Sequence, residues 1–367
     1  MSKFTIDLAK KEDNPGLQKV LANTPMDGRI QIIFQRQPDF LQANLIGNKL
    51  SQTIVARNSE NEIVGLGTRS VRTVYVNGQI SDVGYLSDLR LWGNYRKSTL
   101  VARGYNYLKN LHNDQKVSIY LTTVAEENKA AIKMLTSKKA GLPEYRYFGA
   151  YNSFAINLAY KKKTISQKSI KIVRGSQKYI NDIINCLNRN GAQKQFYPYY
   201  SSEDFNGLKL LGFRIEDFFI AVKDGEVVGV LGKWDLRCAR QIIVAGYNGS
   251  MKVIKPIYNI CAKIFRFPSL PGDGEEVRSF FISFIAVDDN DVDIFKMLLR
   301  EAYNSYLNSE YSHFVVGLDS RDPLMEAIKD YSSIKYKTNL YIVGWKDVEG
   351  YLKTLDGRMP YLEVATL

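Results

Sequence analysis

The chain has few cysteine and histidine residues and no long apolar run. Its 367 residues include three cysteines, without a Cys-x-x-Cys spacing, and two histidines. Zinc sites and Cys–His nucleophile pairs need such residues in clusters, so we expect no metal and reduced, packing thiols. No run of about 18 or more apolar residues occurs, and the first residues lack the apolar core of a secretory signal. We therefore expect a cytoplasmic location and no membrane partner.

Acidic residues are outnumbered by basic ones. The chain has 50 Lys and Arg against 38 Asp and Glu, a net charge of +12. The excess is spread along the sequence, and its dense run, Lys161–Lys163, lies in a polar stretch typical of a solvated linker. No helix-turn-helix, zinc-finger or aromatic ribonucleoprotein signature accompanies the charge. We therefore expect no specific nucleic-acid partner, and a polyanionic cofactor or an acidic substrate accounts equally well for the basic balance.

The most informative segment is a predicted strand, turn and helix. Apolar residues from Val83 to Leu91 suit a buried strand, and apolar residues recur at helical spacing from Leu100 to Leu111. Between them lies the polar turn Tyr95–Thr99, which contains Arg96 and Lys97. The first backbone N–H groups of a helix lack partners and favour an anion. The segment therefore predicts a phosphate-sized anion site.

Two pairs of segments share a pattern across the chain. Ile54–Gly67 and Ile220–Gly232 both suggest a strand, a tight turn and a strand, and the second has Asp-Gly at the turn. Ser118–Leu135 and Phe314–Ile328 both suggest a buried strand followed by a helix. Such self-similarity predicts two related domains in one chain.

We place the first domain at residues 1–160, a linker at 161–168 and the second domain at 169–367, and call the two domains the first half and the second half. Each half has the order strand, helices, hairpin, strand, helix, strand, helix and final strands. This order predicts an α/β (α+β) fold in which each domain has a mixed, mostly antiparallel sheet with helices on both faces.

The first half resembles the GNAT superfamily of acetyl-CoA-dependent acyltransferases over most of residues 4–158. The superfamily's acyl-CoA motif is Arg/Gln-x-x-Gly-x-Gly/Ala, often preceded by Tyr. Tyr95 and Arg96 match it, whereas Thr99 and Val101 stand at the glycine positions. A second motif, Asn-x-x-Ala-x-x-x-Tyr, is matched at two positions, Asn128 and Ala131, with Leu135 in place of the tyrosine. The chain therefore resembles a tandem GNAT protein whose first copy lies closer to the family motif.

The resemblance implies an N-acyltransferase that moves an acetyl group from acetyl-CoA to an amine on a small molecule or peptide. Asn128 holds the pantetheine arm in this interpretation, and the alternative is that it caps a helix. The residues implied in donor binding are Leu89, Arg90, Leu91, Tyr95, Arg96, Lys97, Ser98, Thr99, Leu100, Val101 and Asn128.

Four residues are candidates for proton transfer in this interpretation. Asp88 is a candidate acid or base, and the alternative is that it pairs with Arg90 or Arg69. Glu126 is a second candidate, and helix capping is its alternative role. Tyr145 and Tyr147 are candidates for protonating the departing thiolate in place of the missing tyrosine, and packing is the alternative for both.

The second half resembles the superfamily in architecture only. Its strand Ser279–Val287 is followed by Asp288–Asp293, a run with four carboxylates that we expect to repel a pyrophosphate. Two other functions stay open: a Fem-like aminoacyl transferase, since such proteins also join two GNAT-like domains, and a non-catalytic module that binds acyl-CoA and regulates. The missing glycines and tyrosine favour the module.

Overall fold

A computed structural model describes residues 4–96, 98–265 and 268–367. The strands of the first half are β1 (Thr5–Leu8), β2 (Ile30–Gln35), β3 (Leu50–Arg57), β4 (Ile63–Val76), β5 (Gln79–Leu91), β6 (Tyr120–Ala125) and β7 (Glu144–Asn157). Its helices are α1 (Asn14–Ala22), α2 (Phe40–Ala43), α3 (Leu100–His112) and α4 (Lys129–Leu135).

The second half repeats this alternation of strands and helices. Its strands are β8 (Ile170–Arg174), β9 (Phe218–Lys223), β10 (Glu226–Trp234), β11 (Gln241–Tyr247), β12 (Ser279–Val287), β13 (His313–Asp319) and β14 (Ser333–Gly344). Its helices are α5 (Ile180–Gly191), α6 (Met251–Phe265), α7 (Val292–Ser305) and α8 (Val348–Thr354).

Most strands lie in one sheet that runs through both halves. Among the residues described, this sheet has twelve strands in the order β1-β3-β4-β5-β6-β14-β7-β13-β12-β10-β9-β8, and β2 pairs with β11 outside it. Neighbouring strands of the large sheet are antiparallel except for the parallel pairs β5–β6 and β12–β13. The mixed, mostly antiparallel α/β fold predicted from the sequence is confirmed.

The two halves exchange their last strands. From the two edges inward, the strand order is β1, β3, β4, β5, β6 on one side and β8, β9, β10, β12, β13 on the other. The strand beside β6 is β14 of the second half, and the strand beside β13 is β7 of the first half. The halves therefore share one continuous sheet instead of having one each, although 161–168 does separate β7 from β8. The division into domains stays a prediction.

Turn residues and packing explain how the sequence forms this sheet. The turn between β9 and β10 is Asp224-Gly225, with φ of 51° and 89°. Asp-Gly favours two-residue hairpin turns of this type, in which φ is positive at both positions. Asn77-Gly78 joins β4 and β5 in the same way, with φ of 52° and 77°. The largest cluster of buried side chains includes Phe154 of the first half and Phe219 of the second. This largest cluster therefore spans both halves.

Candidate functional site

The parallel strands β5 and β6 separate soon after they pair. Within the described residues they pair only where Gly84–Tyr85 lies opposite Tyr120–Leu121. Beyond that point β5 continues to its end at Leu91 and β6 to its end at Ala125. We call the space between Leu86–Leu91 and Thr122–Ala125 the first gap. Its two edges carry backbone groups that a paired strand would otherwise use.

The second half has an equivalent opening. Ser279–Ile282 of β12 pair with His313–Val316 of β13, and the two strands then separate. We call the space between Ser283–Val287 and Gly317–Asp319 the second gap. Both gaps thus lie at the carboxyl ends of the two parallel strand pairs, and a helix follows β5 and β12 in each case.

A β-bulge lies at the start of each gap. In β5 the register with β4 shifts, and Asp88 has a left-handed backbone with φ of 56°. In β12 the register with β10 shifts, and Phe284 has φ of 57°. A bulge leaves one residue out of the ladder and turns its backbone groups away from the partner strand. Asp88 therefore corresponds to Phe284, and Leu89 corresponds to Ile285.

The second gap is filled by the chain's own segment Tyr361–Val364. The backbone N–H of Phe284 donates to Glu363 Oε2 at 2.8 Å, and that of Ile285 donates to the Tyr361 hydroxyl at 3.3 Å. A Cβ added to Gly317 would lie 2.4 Å from the Tyr151 hydroxyl and 2.6 Å from Val364 Cβ. The bulge therefore already binds a carboxyl oxygen, and the space beside it is tightly packed.

Among the residues that the structure describes, no comparable group lies in the first gap. In the part of the chain that the structure describes, no side chain accepts a hydrogen bond from the backbone N–H of Asp88 or Leu89, in contrast to the second bulge. Two side-chain contacts join the strands at the start of the first gap: Thr122 Oγ1 donates to the Leu86 carbonyl at 2.8 Å, and the Tyr85 hydroxyl lies 3.0 Å from Thr123 Oγ1. The first bulge is thus the available counterpart of the occupied second one.

The Asp88 side chain is largely buried and ion-paired with Arg36, which directly follows β2. Burial by itself raises the pKa of the Asp88 carboxyl, but the charges of Arg36, Arg90 and Arg240 outweigh burial and hold the pKa below its ordinary value. Asp88 is therefore ionised at neutral pH. The pairing with Arg69 considered from the sequence is wrong, because Arg69 forms two bonds to Asp114, at 2.7 and 2.9 Å.

The charges of Arg36, Arg90 and Arg240 act on this carboxylate, and Arg72 lies near Arg240. Arg240 donates to the Ala43 and Ala365 carbonyls, and its burial, together with the nearby charge of Arg36, lowers its pKa to about 9. Arg72 has its own acceptors, Asn48 Oδ1 and the Thr366 carbonyl, both at 2.7 Å. The Arg36 Nε atom is buried without a partner among the described residues. The first gap therefore has a strongly cationic wall.

The predicted anion turn lies where β5 leads into α3. Arg96 is exposed, and the ring edge of Tyr95 packs against Phe4 with centroids 5.7 Å apart. The Ser98 hydroxyl donates to the Tyr95 carbonyl at 2.6 Å and accepts from the Leu100 N–H at 3.3 Å. Ser98 thus closes the turn with its hydroxyl.

The other residues implied in donor binding lie along the same path. Thr99 is the exposed N-cap residue of α3, and its side chain makes no capping bond. Val101 lies in the first turn of α3, and Leu89, Arg90 and Leu91 form the end of β5. Lys97 lies outside the described residues. The described candidate residues of β5 and α3 therefore lie along one stretch of the chain, from Leu89 to Val101.

Asn128 and Glu126 follow β6 and have local partners. The Asn128 side chain accepts from the Ala131 N–H at 3.1 Å and so caps α4. Glu126 Oε1 accepts from Lys337 Nζ of β14 at 2.8 Å, and this bond lowers the pKa of the Glu126 carboxyl. The capping alternative for Asn128 is the arrangement found, whereas Glu126 is held by an ion pair and not by a helix end.

Tyr145 and Tyr147 lie on β7, which the strand exchange separates from β6 by one strand. Tyr145 is buried in the same apolar cluster as Leu135, and its hydroxyl lies 2.5 Å from that of Tyr105. Burial raises its pKa well above the ordinary value. Tyr147 is 58% exposed and packs edge-on against Tyr341. Tyr145 is therefore the one of the two that lies beside the position of the missing tyrosine.

Sequence reasoning missed the cationic wall and the segment that fills the second gap. Arg36 and Arg240 are far apart in the chain, and nothing in their spacing distinguishes them from exposed arginines. Glu363 lies in a short apolar segment with no motif around it. Within the described residues, no group of three or more His, Cys, Asp or Glu side chains is arranged to hold a metal ion.

No protein-family model and no curated protein matches the sequence. Solved structures, however, match nearly the whole chain. A GCN5-related N-acetyltransferase from Sphaerobacter thermophilus has a TM-score of 0.57 and 10% identity, covering 93% of this chain and 96% of that one. Saccharomyces cerevisiae N-myristoyltransferase with bound myristoyl-CoA has a TM-score of 0.62 and 11% identity, covering 94% and 84%.

A third similar structure is a GCN5-related glucosamine N-acetyltransferase region of a fungal multi-domain GH3 β-N-acetylglucosaminidase. It has a TM-score of 0.65 and 14% identity, covering 93% of this chain and 38% of that one. At these identities the similarity concerns the fold. The chain has the GNAT fold, as the resemblance of its first half predicted.

Proposed function

We propose that this chain is an acyl-CoA-dependent N-acyltransferase that binds its donor at the first gap and transfers an acetyl group to an amine. The observation that carries the proposal is the pair of equivalent bulges. The second bulge uses two backbone N–H groups to bind a carboxyl oxygen and a hydroxyl. Their counterparts on Asp88 and Leu89 have no such partner within the described residues, which supports a substrate oxygen at that position.

The donor would follow the edges of the first gap. The amide groups of a pantetheine arm can form hydrogen bonds with the unpaired edges of β5 and β6, as an added strand would. The thioester carbonyl oxygen would accept from the N–H of Leu89, the counterpart of Ile285. The pyrophosphate would lie at the turn from Arg96 to Val101, where the charge of Arg96 and the start of the 13-residue helix α3 both favour an anion.

The chemistry would be a direct transfer. The amine nitrogen attacks the thioester carbonyl carbon, the C–N bond forms, and the bulge N–H groups stabilise the oxyanion. The C–S bond then breaks, the proton of the amine passes through water to the thiolate, and CoA leaves as the thiol. Asp88 and Glu126 both have lowered pKa values, which makes each a weak base. We therefore expect the rate to rise with pH toward the pKa of the acceptor amine.

A second candidate function is acyl-CoA binding without turnover. Leu135 stands at the position of the tyrosine that protonates the thiolate in the family, and the Tyr145 hydroxyl nearby already bonds to Tyr105. Asp88 is likewise engaged by Arg36. These contacts favour a binding module, and the experiment below distinguishes it from the enzyme.

Titration calorimetry with acetyl-CoA tests the donor site. We expect micromolar binding to the wild-type chain and about tenfold weaker binding to Arg96→Ala, since one charge-assisted contact to a phosphate is lost. The matched control is Arg214→Ala, which removes an exposed arginine of the second half and should leave binding unchanged. No binding at millimolar acetyl-CoA would contradict the proposal.

Release of the CoA thiol with a panel of amines tests turnover. Release with acetyl-CoA supports the enzyme, and binding without release across the panel supports the module. A parallel series with myristoyl-CoA tests the acyl group, because faster release from the longer donor would contradict acetyl transfer.

A further inference from the structure

Helix α6 has an apolar face that points away from the protein. Val253, Ile254, Ile257, Ile260 and Ile264 are each between 46% and 68% exposed. At 100° per residue these five side chains lie within an arc of about 120° along a helix about 22 Å long. We call these five side chains the outer face of α6. Isolated exposed apolar residues are ordinary. A continuous apolar stripe of this kind marks a surface that a membrane or another molecule covers.

The opposite face of α6 is the one that packs on the protein. Ala262 is buried, and the Asn259 side chain bonds to both the N–H and the carbonyl of Leu270, at 2.8 and 3.1 Å. Lys255 forms an ion pair with Asp273 at 3.3 Å and lies 4.2 Å from the centre of the Tyr247 ring. The helix is therefore anchored by small and polar residues, and its most apolar side chains make up the outer face.

The charges beside the outer face are positive. The sequence from Met251 to Phe265 contains no acidic residue, and Lys252 is exposed, whereas Lys255 is ion-paired on the packed face. Of the three acidic residues in the loop that follows, Asp273 pairs with Lys255, Glu275 accepts from the Gly272 N–H at 2.5 Å and Glu276 is half-buried. A second copy of this helix would bring only further lysines to such a contact, whereas anionic lipid headgroups would complement them.

We propose that α6 docks this protein on an anionic lipid surface, with its outer face inserted among the acyl chains and its axis parallel to the membrane. None of the helices that the structure describes is long and apolar enough to cross a membrane. The sequence-based expectation of no membrane partner followed from the same lack of a span, but a helix that lies in the interface needs no span.

The docked helix would connect to the first gap through the β2–β11 pair. Arg36 and Arg240 lie at one end of this pair, where Gln35 faces Gln241, and α6 follows the other end, where Ile30 faces Tyr247. The proposal does not depend on acyl transfer, because it concerns binding to vesicles alone.

Vesicle co-sedimentation tests the proposal. We expect the full chain to bind phosphatidylcholine vesicles that contain 30 mol% phosphatidylglycerol, to bind pure phosphatidylcholine far less, and to lose binding as salt rises. Ile257→Glu should weaken binding at least about tenfold, since a charge enters the apolar phase. Lys252→Ala should weaken binding to the anionic vesicles about fivefold.

The matched control is Ile334→Glu, which places the same charge at a similarly exposed isoleucine on β14. It should bind vesicles as the wild type does, and the unfolding midpoints of all variants should match because the altered side chains are exposed. If Ile257→Glu unfolds, Ile260→Glu replaces it. Failure of the wild type to bind anionic vesicles, equal binding to neutral ones, or equal loss in the control would overturn the proposal. A concentration-dependent dimer abolished by Ile257→Glu would also overturn it by assigning the face to a second copy.

Discussion

The first and second gaps begin at equivalent bulges but differ in what lies beside them. At the second bulge Glu363 and Tyr361 accept hydrogen bonds from two consecutive N–H groups. At the first bulge a buried ion pair, Asp88 with Arg36, borders the opening, and no side chain of the described residues accepts from the corresponding N–H groups. The same backbone feature is therefore a structural anchor in one half and a candidate substrate site in the other.

The difference also changes the reason for predicting that the second half does not bind acyl-CoA. From the sequence, repulsion by the acidic run from Asp288 to Asp293 was the expected reason. In the structure Asp288 accepts from Arg189 and Asn190, at 2.9 and 2.7 Å, and Asp291 caps α7. The more direct obstacle is occupancy, because the chain itself fills the space beside β12.

Removing the filling side chain should have the largest effect. Glu363→Ala leaves the Phe284 N–H and the Tyr361 hydroxyl without their acceptor in a buried site. We expect the free energy of unfolding to fall by about 3 kcal/mol. Urea unfolding measures the change. Glu326→Ala, at an exposed glutamate of the same half, is the control and should change little. A loss as small as that of the control would mean that the second bulge does not need an occupant.

The pH dependence of Glu363 sharpens the same point. Burial raises the pKa of Glu363 above its ordinary value of 4.5. Between the unfolded and the folded pKa of Glu363, the folded state therefore binds more protons than the unfolded state. Ionisation of Glu363 thus does not lower the free energy of unfolding below pH 4.5, and it lowers that free energy increasingly as pH rises through the raised pKa. Glu363→Gln cannot ionise, so its stability relative to wild type should increase from pH 4 to pH 8. A constant difference would contradict the assigned burial.

Disrupting the ion pair at the first bulge should have the next largest effect. Asp88→Asn removes the carboxylate shared by Arg36, Arg90 and Arg240, and we expect a loss of about 2 kcal/mol at pH 7. The pKa of Asp88 is lowered in the folded state, so its contribution is present above the unfolded pKa and is lost as pH falls through the folded one. The difference between variant and wild type in urea unfolding should shrink toward pH 3. Growth of the difference at low pH would contradict the pairing.

The fold was largely predictable from sequence, for local reasons. The hairpin at Asp224-Gly225 and the strand Ser279–Val287 depend on residues near one another in the chain, and the structure has both, with the strand at the predicted bounds. The exchange of β7 and β14 was not predictable, because either strand satisfies the same apolar alternation beside β6 or β13. Strand order between halves is decided by packing, which leaves no signature in one sequence.

The candidate site was predictable in part. Arg96, Thr99 and Val101 form a contiguous motif, and its position between β5 and α3 follows from local periodicity. The partner of Asp88 did not follow, since Arg36 is brought to it by the chain path through β2. Sequence reasoning therefore predicted where the proposed phosphate-binding turn lies in the fold but not the charges around the bulge.

Replacing Thr99 with the glycine of the family motif should have a smaller effect, on acetyl-CoA binding at the first gap. Thr99 is the N-cap residue of α3 and makes no side-chain capping bond, so Thr99→Gly costs the helix little. Removing its Cβ gives a pyrophosphate closer access to the backbone, and we expect acetyl-CoA to bind about threefold more tightly. Calorimetry measures the change, with Thr164→Gly in the linker as the control. Weaker binding in Thr99→Gly would indicate that the threonine itself contacts the donor.

The smallest effect is expected at Glu126, which follows β6 at the edge of the first gap. Its ion pair with Lys337 is exposed, so Glu126→Gln should leave both the unfolding midpoint and acetyl-CoA binding unchanged and should lower the transfer rate less than about twofold. A large fall in rate with unchanged donor affinity would instead assign Glu126 to the amine. Lys337→Met separates the two cases. It frees the Glu126 carboxylate from the bond that lowers its pKa, so a catalytic Glu126 would become a stronger base and shift the pH–rate profile to higher pH, whereas a structural one would leave the profile unchanged.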